Sequence, residues 1–306
     1  MARGTLASLA IMSLATAWAA AADDQPASPE QLFARDNLVA WCIVPFDAKG
    51  REPEERAAML QRLGFTKFAY DWRAEHLPTF DAEIDALERH GVELTAVWFP
   101  AALDRDALFI LETLKRHNTQ TQLWITMGDP APESAEQSAR VAAAASALRP
   151  VAEAAAAQGC TIGLYNHGGW FGQPENQLAI IKSLNLPNVG VVYNLHHGHE
   201  HLDRFAQCLE QLKPLLYAVN LNGMDPAGDA HGRKILALGR GKRDLELLRQ
   251  IAASGYDGPI GVLGHTQDDA EARLQDNLDG LEWLVKQFSG KPASDPPALR
   301  TPAAGE

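Results

Sequence analysis

The chain has 306 residues, 46% of them hydrophobic, and a formal net charge of −12 at pH 7. This length and composition are typical of one large globular core and exclude a mostly disordered protein. The acidic charge argues against binding to nucleic acid or to anionic lipid, because phosphate recognition needs clustered Lys and Arg.

The first predicted element is a signal peptide at residues 1–22. Arg3 gives a short positive region, residues 6–18 are mostly apolar, and small residues precede Asp23. The apolar stretch is too short to span a bilayer comfortably, and the small residues fit a cleavage site. We therefore expect a periplasmic or secreted protein with no stable membrane insertion after cleavage. A retained N-terminal anchor is the alternative.

Beyond this leader, the chain is predicted to form one domain at residues 23–288, followed by a disordered, Pro- and Ala-rich tail at 289–306. Eight short apolar strands alternate with eight helices, which predicts a closed (β/α)8 TIM barrel with a parallel sheet. The predicted strands are 37–45, 67–72, 93–100, 121–128, 161–167, 189–196, 217–222 and 259–265, and the helices are 54–63, 80–90, 104–117, 134–158, 175–184, 202–212, 244–253 and 268–288.

Three cysteines, Cys42, Cys160 and Cys208, lie in the predicted domain. An odd and sparse set is not a disulfide framework. Cys42 and Cys160 fall in or beside predicted strands, so we expect them to be buried as small hydrophobic residues. The sequence leaves one disulfide bridge open.

Polar residues concentrate at the ends of the last four predicted strands, where barrel enzymes carry their chemistry. There is no P-loop, nucleophile elbow or dinucleotide fingerprint that would indicate a kinase, a triad hydrolase or an NAD-dependent enzyme. The stretches read LYNHGGW at 164–170, VYNLHHGHEH at 192–201, VNLNG at 219–223, and GYDGP at 255–259 followed by VLGH at 262–265.

In these stretches the chain resembles the xylose-isomerase-like barrel family of sugar isomerases, epimerases and related endonucleases. The family's E-N-H-G at the fifth strand is similar to residues 165–168, and its D-x-x-H at the sixth is similar to 194–197. Its H-x-K-D aligns with 220–223, its G-Y-D-G with 255–258, and its G-x-G turn with 239–241. The resemblance implies a barrel that acts on a sugar or polyol with the help of a divalent ion.

The metal-binding positions of that family are changed in this chain. The resemblance implies that a Glu, an Asp, a His and a Glu would hold the ion, and that carboxylates would move the proton. Hard cations prefer anionic oxygens, so a family-type Mg²⁺ or Mn²⁺ site is not expected here. The four positions hold Tyr165, Asn194, Asn220 and Leu263.

The alternation of side chains along a strand indicates a replacement site. Residues two apart point to the same face, so His167, His196 and His265 are expected one layer nearer the barrel mouth, together with Asn222. Three imidazoles are a ligand set that Zn²⁺ or another transition metal takes. Without a metal, they could transfer protons near neutral pH. The sequence leaves the cofactor open, and hydrogen-bonded core histidines are the alternative.

Further residues complete the predicted site. Asp71, at the end of the second strand, is the best remaining carboxylate for a general base, with a capping or ion-pair role as the alternative. Aromatic faces pack against sugar C–H groups, and amides and hydroxyls bind sugar hydroxyls. The predicted substrate contacts are Tyr165, Asn194, Asn220, Asn222, Trp170, Arg240 and, by the family resemblance, His197.

The predicted function is isomerisation, epimerisation or elimination by proton transfer on a free sugar or keto-sugar at this atypical His-rich site. An exported protein would meet free sugars rather than phosphorylated cytoplasmic ones. The alternative is a catalytically silent barrel that binds a carbohydrate or a partner protein. The sequence therefore favours an enzyme without deciding the matter.

Overall fold

The barrel closes as predicted. The computed structural model describes residues 28–132, 135–290 and 294–302. Eight parallel strands follow one another in chain order around a closed barrel, and the first strand pairs with both the second and the eighth. This confirms the (β/α)8 TIM barrel. The predicted signal peptide at 1–22 lies outside the described residues.

The strands that carry the site end earlier than the sequence predicts. The fifth ends at Tyr165, the sixth at Asn194 and the eighth at Leu263, so regular alternation stops at the layer of the changed metal positions. The bounds are β1 Leu38–Trp41, β2 Lys67–Tyr70, β3 Glu93–Phe99, β4 Gln122–Ile125, β5 Thr161–Tyr165, β6 Val189–Asn194, β7 Leu216–Leu221 and β8 Ile260–Leu263.

Local signals fix the helix ends. Asp104 accepts a hydrogen bond from the Ala107 main-chain N–H at 2.8 Å and caps the helix Arg105–Arg116. None of the helices in the described residues is long and apolar enough to cross a membrane.

The helix bounds are α1 Pro29–Leu32, α2 Pro53–Leu63, α3 Phe80–Arg89, α4 Arg105–Arg116, α5 Gln137–Ala156, α6 Pro174–Leu184, α7 Phe205–Leu212, α8 Asp244–Ala253 and α9 Ala270–Lys286. The short helix α1 was not predicted.

The inside of the barrel is a packed core. Trp41 and Trp124 meet edge to face, with ring centroids 4.7 Å apart. Small residues on the other strands, Ala69, Ala96 and Ala218, complement these large rings in the same buried cluster. Alternation of large and small side chains fills such interiors, so any ligand site must lie above this layer, at the C-terminal ends of the strands.

Residues 294–302, in the predicted tail, provide partners for a buried carboxylate. Asp276 on α9 is 2% exposed. It accepts hydrogen bonds from the main-chain N–H groups of Arg300 and Thr301, both at 2.9 Å, and from the Thr301 hydroxyl at 2.8 Å. A buried charge needs such donors, which the sequence composition of the tail does not reveal.

Candidate functional site

The four changed metal positions form a buried layer across the barrel. Trp41 Nε1 donates a hydrogen bond to Tyr165 Oη at 3.1 Å, and Asn194 Nδ2 donates to the same oxygen. Asn220 and Leu263 are fully buried beside them. Burial raises the pKa of Tyr165 above its usual range, so the phenol stays neutral. The polar groups of this layer are therefore uncharged, and Tyr165 and Asn194 are hydrogen-bonded to each other.

This layer does not fit a hard divalent cation, because it contains no anionic oxygen and Leu263 offers no ligand. Within residues 28–132, 135–290 and 294–302, no group of three or more His, Cys, Asp or Glu side chains is placed to hold a metal ion. The displaced metal site predicted from His167, His196 and His265 is thus not assembled in this geometry.

Four histidines form a continuous cluster at the strand ends. Ring centroids lie 4.2 Å apart for His167 and His197, 4.2 Å for His196 and His197, and 5.1 Å for His196 and His265. Because β6 is followed by a 3-10 turn at Leu195–His197, His197 rather than His196 approaches His167. The prediction from alternation fails at this point since it assumed that the strand continues to residue 196.

The cluster is neutral at pH 7. Burial, and then neighbouring positive charges, lower the pKa of His197 to about 3 and that of His265 to about 4. Burial is also the main cause of the lowered pKa of His167. These imidazoles therefore offer neutral N–H donors and lone pairs. Their lowered pKa values do not favour the expectation that they transfer protons near neutral pH.

A small pocket of about 50 Å³ opens beside Tyr165 and Trp98, whose rings meet edge to face at 5.1 Å. Typical ligand sites measure roughly 300–1,000 Å³, so this pocket has room for the reacting edge of a ligand rather than a whole sugar ring. Its other polar and charged lining comes from Cys42, Asp71, Arg73, His167, His197 and His265.

Asp71 is the one carboxyl among the described residues that line this pocket. Its Oδ1 accepts a hydrogen bond from the Val44 main-chain N–H at 3.0 Å, while its Oδ2 has no N–H or O–H partner in the described chain. Burial raises its pKa from 3.8 to about 7, against the opposing effects of the Val44 N–H, of Arg73 and of a hydrogen bond with the Cys42 side chain. A carboxyl that lines a pocket and has a pKa near 7 is suited to exchange a proton with a ligand.

Sequence reasoning missed two of the polar and charged residues that line this pocket. Cys42 follows β1 in the left-handed region, at φ 63°, and its Sγ lies 3.5 Å from His265 Nδ1. Like Cys160 and Cys208, it is free and buried, and burial raises the pKa of its thiol. Arg73 is the second missed residue. The available signal was position, since both residues fall within three positions of a strand end.

Three predicted substrate contacts have other partners. Asn222 Nδ2 donates to main-chain carbonyl groups of the loop after β7. Trp170 Nε1 donates to Gln137 at 2.8 Å, and the Arg240 guanidinium donates to the Pro297 carbonyl group. These side chains hold loops and the C-terminal segment, and none of them lines the pocket beside Tyr165.

The fold and the site define a (β/α)8 barrel with a pocket at the C-terminal ends of its strands. Residues 57–287 match the family described as xylose isomerase-like TIM barrel, and the chain belongs to that family. No curated protein matches the chain.

Solved structures share the fold at low sequence identity. One is 3-keto-D-glucoside 4-epimerase from E. coli, with 19% identity over 82% of this chain and 99% of that chain and a TM-score of 0.59. Another is a probable 3-DHS dehydratase from Bacillus anthracis, with 14% identity over 80% and 98% and a TM-score of 0.63. The IOLI protein with a bound zinc atom has 14% identity over 82% and 98% and a TM-score of 0.61.

Proposed function

We propose that this barrel catalyses proton transfer next to the carbonyl group of a free sugar or keto-sugar, without a divalent ion of the family type. Asp71 carries the proposal, because its buried carboxyl has a pKa of about 7, has only the Cys42 thiol as a further side-chain neighbour in hydrogen-bond contact among the described residues, and lines a pocket of neutral imidazoles. The family and the likeness in fold to a 3-keto-D-glucoside 4-epimerase support the substrate class.

In the proposed reaction, ionised Asp71 removes a proton from the carbon next to the carbonyl group. The electron pair of the broken C–H bond moves to the carbonyl oxygen and forms an enolate. His167 and His197 line the same pocket, and a neutral imidazole N–H from either can donate a hydrogen bond to that oxygen. Protonation of the same carbon on its opposite face by a proton from solvent then gives an epimer. If the hydroxyl proton of that carbon first moves to the enolate oxygen, protonation of the former carbonyl carbon gives an isomer.

The alternative function, a barrel that binds a carbohydrate without turnover, has its own support. The changed metal layer contains no ionised group, and the pocket is small. Both features are compatible with binding alone. The two functions differ in one observable, which is exchange of a carbon-bound hydrogen with solvent.

The test is proton NMR of keto-sugars, including 3-keto-glucosides, in D₂O with the purified protein. Exchange reports proton abstraction whether or not a product accumulates. We expect exchange that rises with pH through about 7, because Asp71 must be ionised, and that falls at least about 100-fold in Asp71→Asn. His90→Gln, outside the pocket, is the control. Binding of keto-sugars without exchange would support the silent barrel, and unchanged exchange in Asp71→Asn would refute the role of Asp71.

A further inference from the structure

Arg73 is an exposed residue that lines the pocket and has unused hydrogen-bond donors. Its Nη1 donates to the main-chain carbonyl groups of Asp71 and Trp72, both at 2.8 Å. Its Nε and Nη2 donate to no group in the part of the chain that the structure describes, and no carboxylate there forms an ion pair with it. The guanidinium is thus anchored on one side and free on the other.

An aromatic stack supports this orientation. The Arg73 guanidinium lies over the Phe46 ring, 5.6 Å from its centroid, and Phe46 stacks on His265 at 3.8 Å. Stacking on an aromatic face holds the planar guanidinium without using its N–H groups. Phe46 therefore links Arg73 to the histidine cluster and to the pocket.

The pocket is electrostatically unlike the rest of the protein. The chain carries a net charge of −12, but the pocket has one carboxyl, Asp71, and the guanidinium of Arg73. A second cation, Lys234, lies outside the pocket lining and pairs with Asp229 at 3.2 Å, and it helps to keep all four clustered histidines neutral. Cations at a concave site raise the local concentration of anions.

We propose that the ligand of this pocket is an acidic sugar whose carboxylate pairs with the free edge of Arg73. The inference rests on the proposed function and adds the chemical class of the substrate. The adjacent Nε–H and Nη2–H groups form a planar fork that matches the two oxygens of a carboxylate. A carboxylate also suits the small pocket and the predicted export better than a phosphate ester does.

The test compares unreactive ligands by isothermal titration calorimetry, so that turnover does not matter. The ligands are gluconate, which has the carboxylate, glucitol, which lacks it, and glucitol 6-phosphate. We expect gluconate to bind at least about tenfold more tightly than glucitol, and this preference to fall to within about twofold in Arg73→Gln. Arg89→Gln makes the same change in charge near the N-terminal end of β3 and should keep the preference.

Equal binding of gluconate and glucitol, no binding of either, or a preference that survives Arg73→Gln would overturn the proposal. Tighter Arg73-dependent binding of glucitol 6-phosphate would overturn the choice of carboxylate. Arg73→Lys, which keeps the charge but loses the fork, should retain part of the preference. If neutral keto-sugars show Asp71-dependent exchange but gluconate binds no more tightly than glucitol, only this inference is refuted. If acids bind in an Arg73-dependent way but no keto-sugar exchanges, only the proposed function is refuted.

Discussion

Replacement of Asp71 by Asn is expected to change how the stability of the protein depends on pH. In the folded protein, burial raises the pKa of Asp71 from 3.8 to about 7. The stability contributed by its bound proton is therefore fully present below pH 3.8 and is lost as the pH rises through 7. Each pKa unit corresponds to about 1.4 kcal/mol, which gives about 4 kcal/mol in total and about 2.5 kcal/mol between pH 5 and pH 8.

The measurement is urea unfolding of the wild type and of Asp71→Asn at several pH values. Asn keeps the shape of Asp and an oxygen for the Val44 N–H, which binds Asp71 Oδ1 at 3.0 Å, but it does not titrate. The stability of the wild type relative to the variant should fall by about 2.5 kcal/mol from pH 5 to pH 8. Subtracting the free energy of unfolding of the variant from that of the wild type removes the contributions of the histidines, which both proteins share. Asp85→Asn, at an exposed position, is the control. A constant difference across this range would refute the argument that burial raises the pKa of Asp71.

Two further predictions concern the residues around the pocket. The pKa of His197 is lowered to about 3 by burial, so the wild type should lose stability as the pH falls below 6.5. Between pH 7 and pH 5, the free energy of unfolding of His197→Gln should fall by up to about 2 kcal/mol less than that of the wild type. An equal loss in His197→Gln and in the control His90→Gln would contradict this. A Cβ atom at Gly261 would lie 1.8 Å from Asn220 Oδ1, so Gly261→Ala should reduce the free energy of unfolding by about 1–3 kcal/mol. The control is Gly128→Ala, whose Cβ would meet nothing within 4 Å.

The architecture could be predicted because its signals are local. Short apolar strands, helix periodicity and the Asp104 cap lie within a few residues of one another along the chain, and the barrel follows from their order. The contacts of segment 294–302 could not be predicted, because Asp276 binds it across more than twenty residues of chain. Patterns within a segment do not encode partners that far away.

The site was partly predictable for the same reason. Asp71 was named as a candidate from the strand end at which it lies, and His197 from the family resemblance, and both line the pocket. Arg73 and Cys42 also lie close to strand ends, but their contacts with Phe46 and with His265 join segments that are far apart along the chain. The raised pKa of Asp71 could not be predicted either, since burial in the assembled barrel is its main cause.

The changed metal layer and the state of Asp71 are linked in the proposed chemistry. A carboxylate with a pKa of 3.8 is a weak base for a carbon-bound proton, and the family resemblance implies a divalent ion that acidifies the substrate. Burial raises the pKa of Asp71 to about 7, which strengthens the base while keeping a large ionised fraction at neutral pH. Neutral imidazoles stabilise an enolate less than a divalent ion does. The proposed reaction therefore requires a C–H group already activated by an adjacent ketone, so keto-sugars are better candidate substrates than simple polyols.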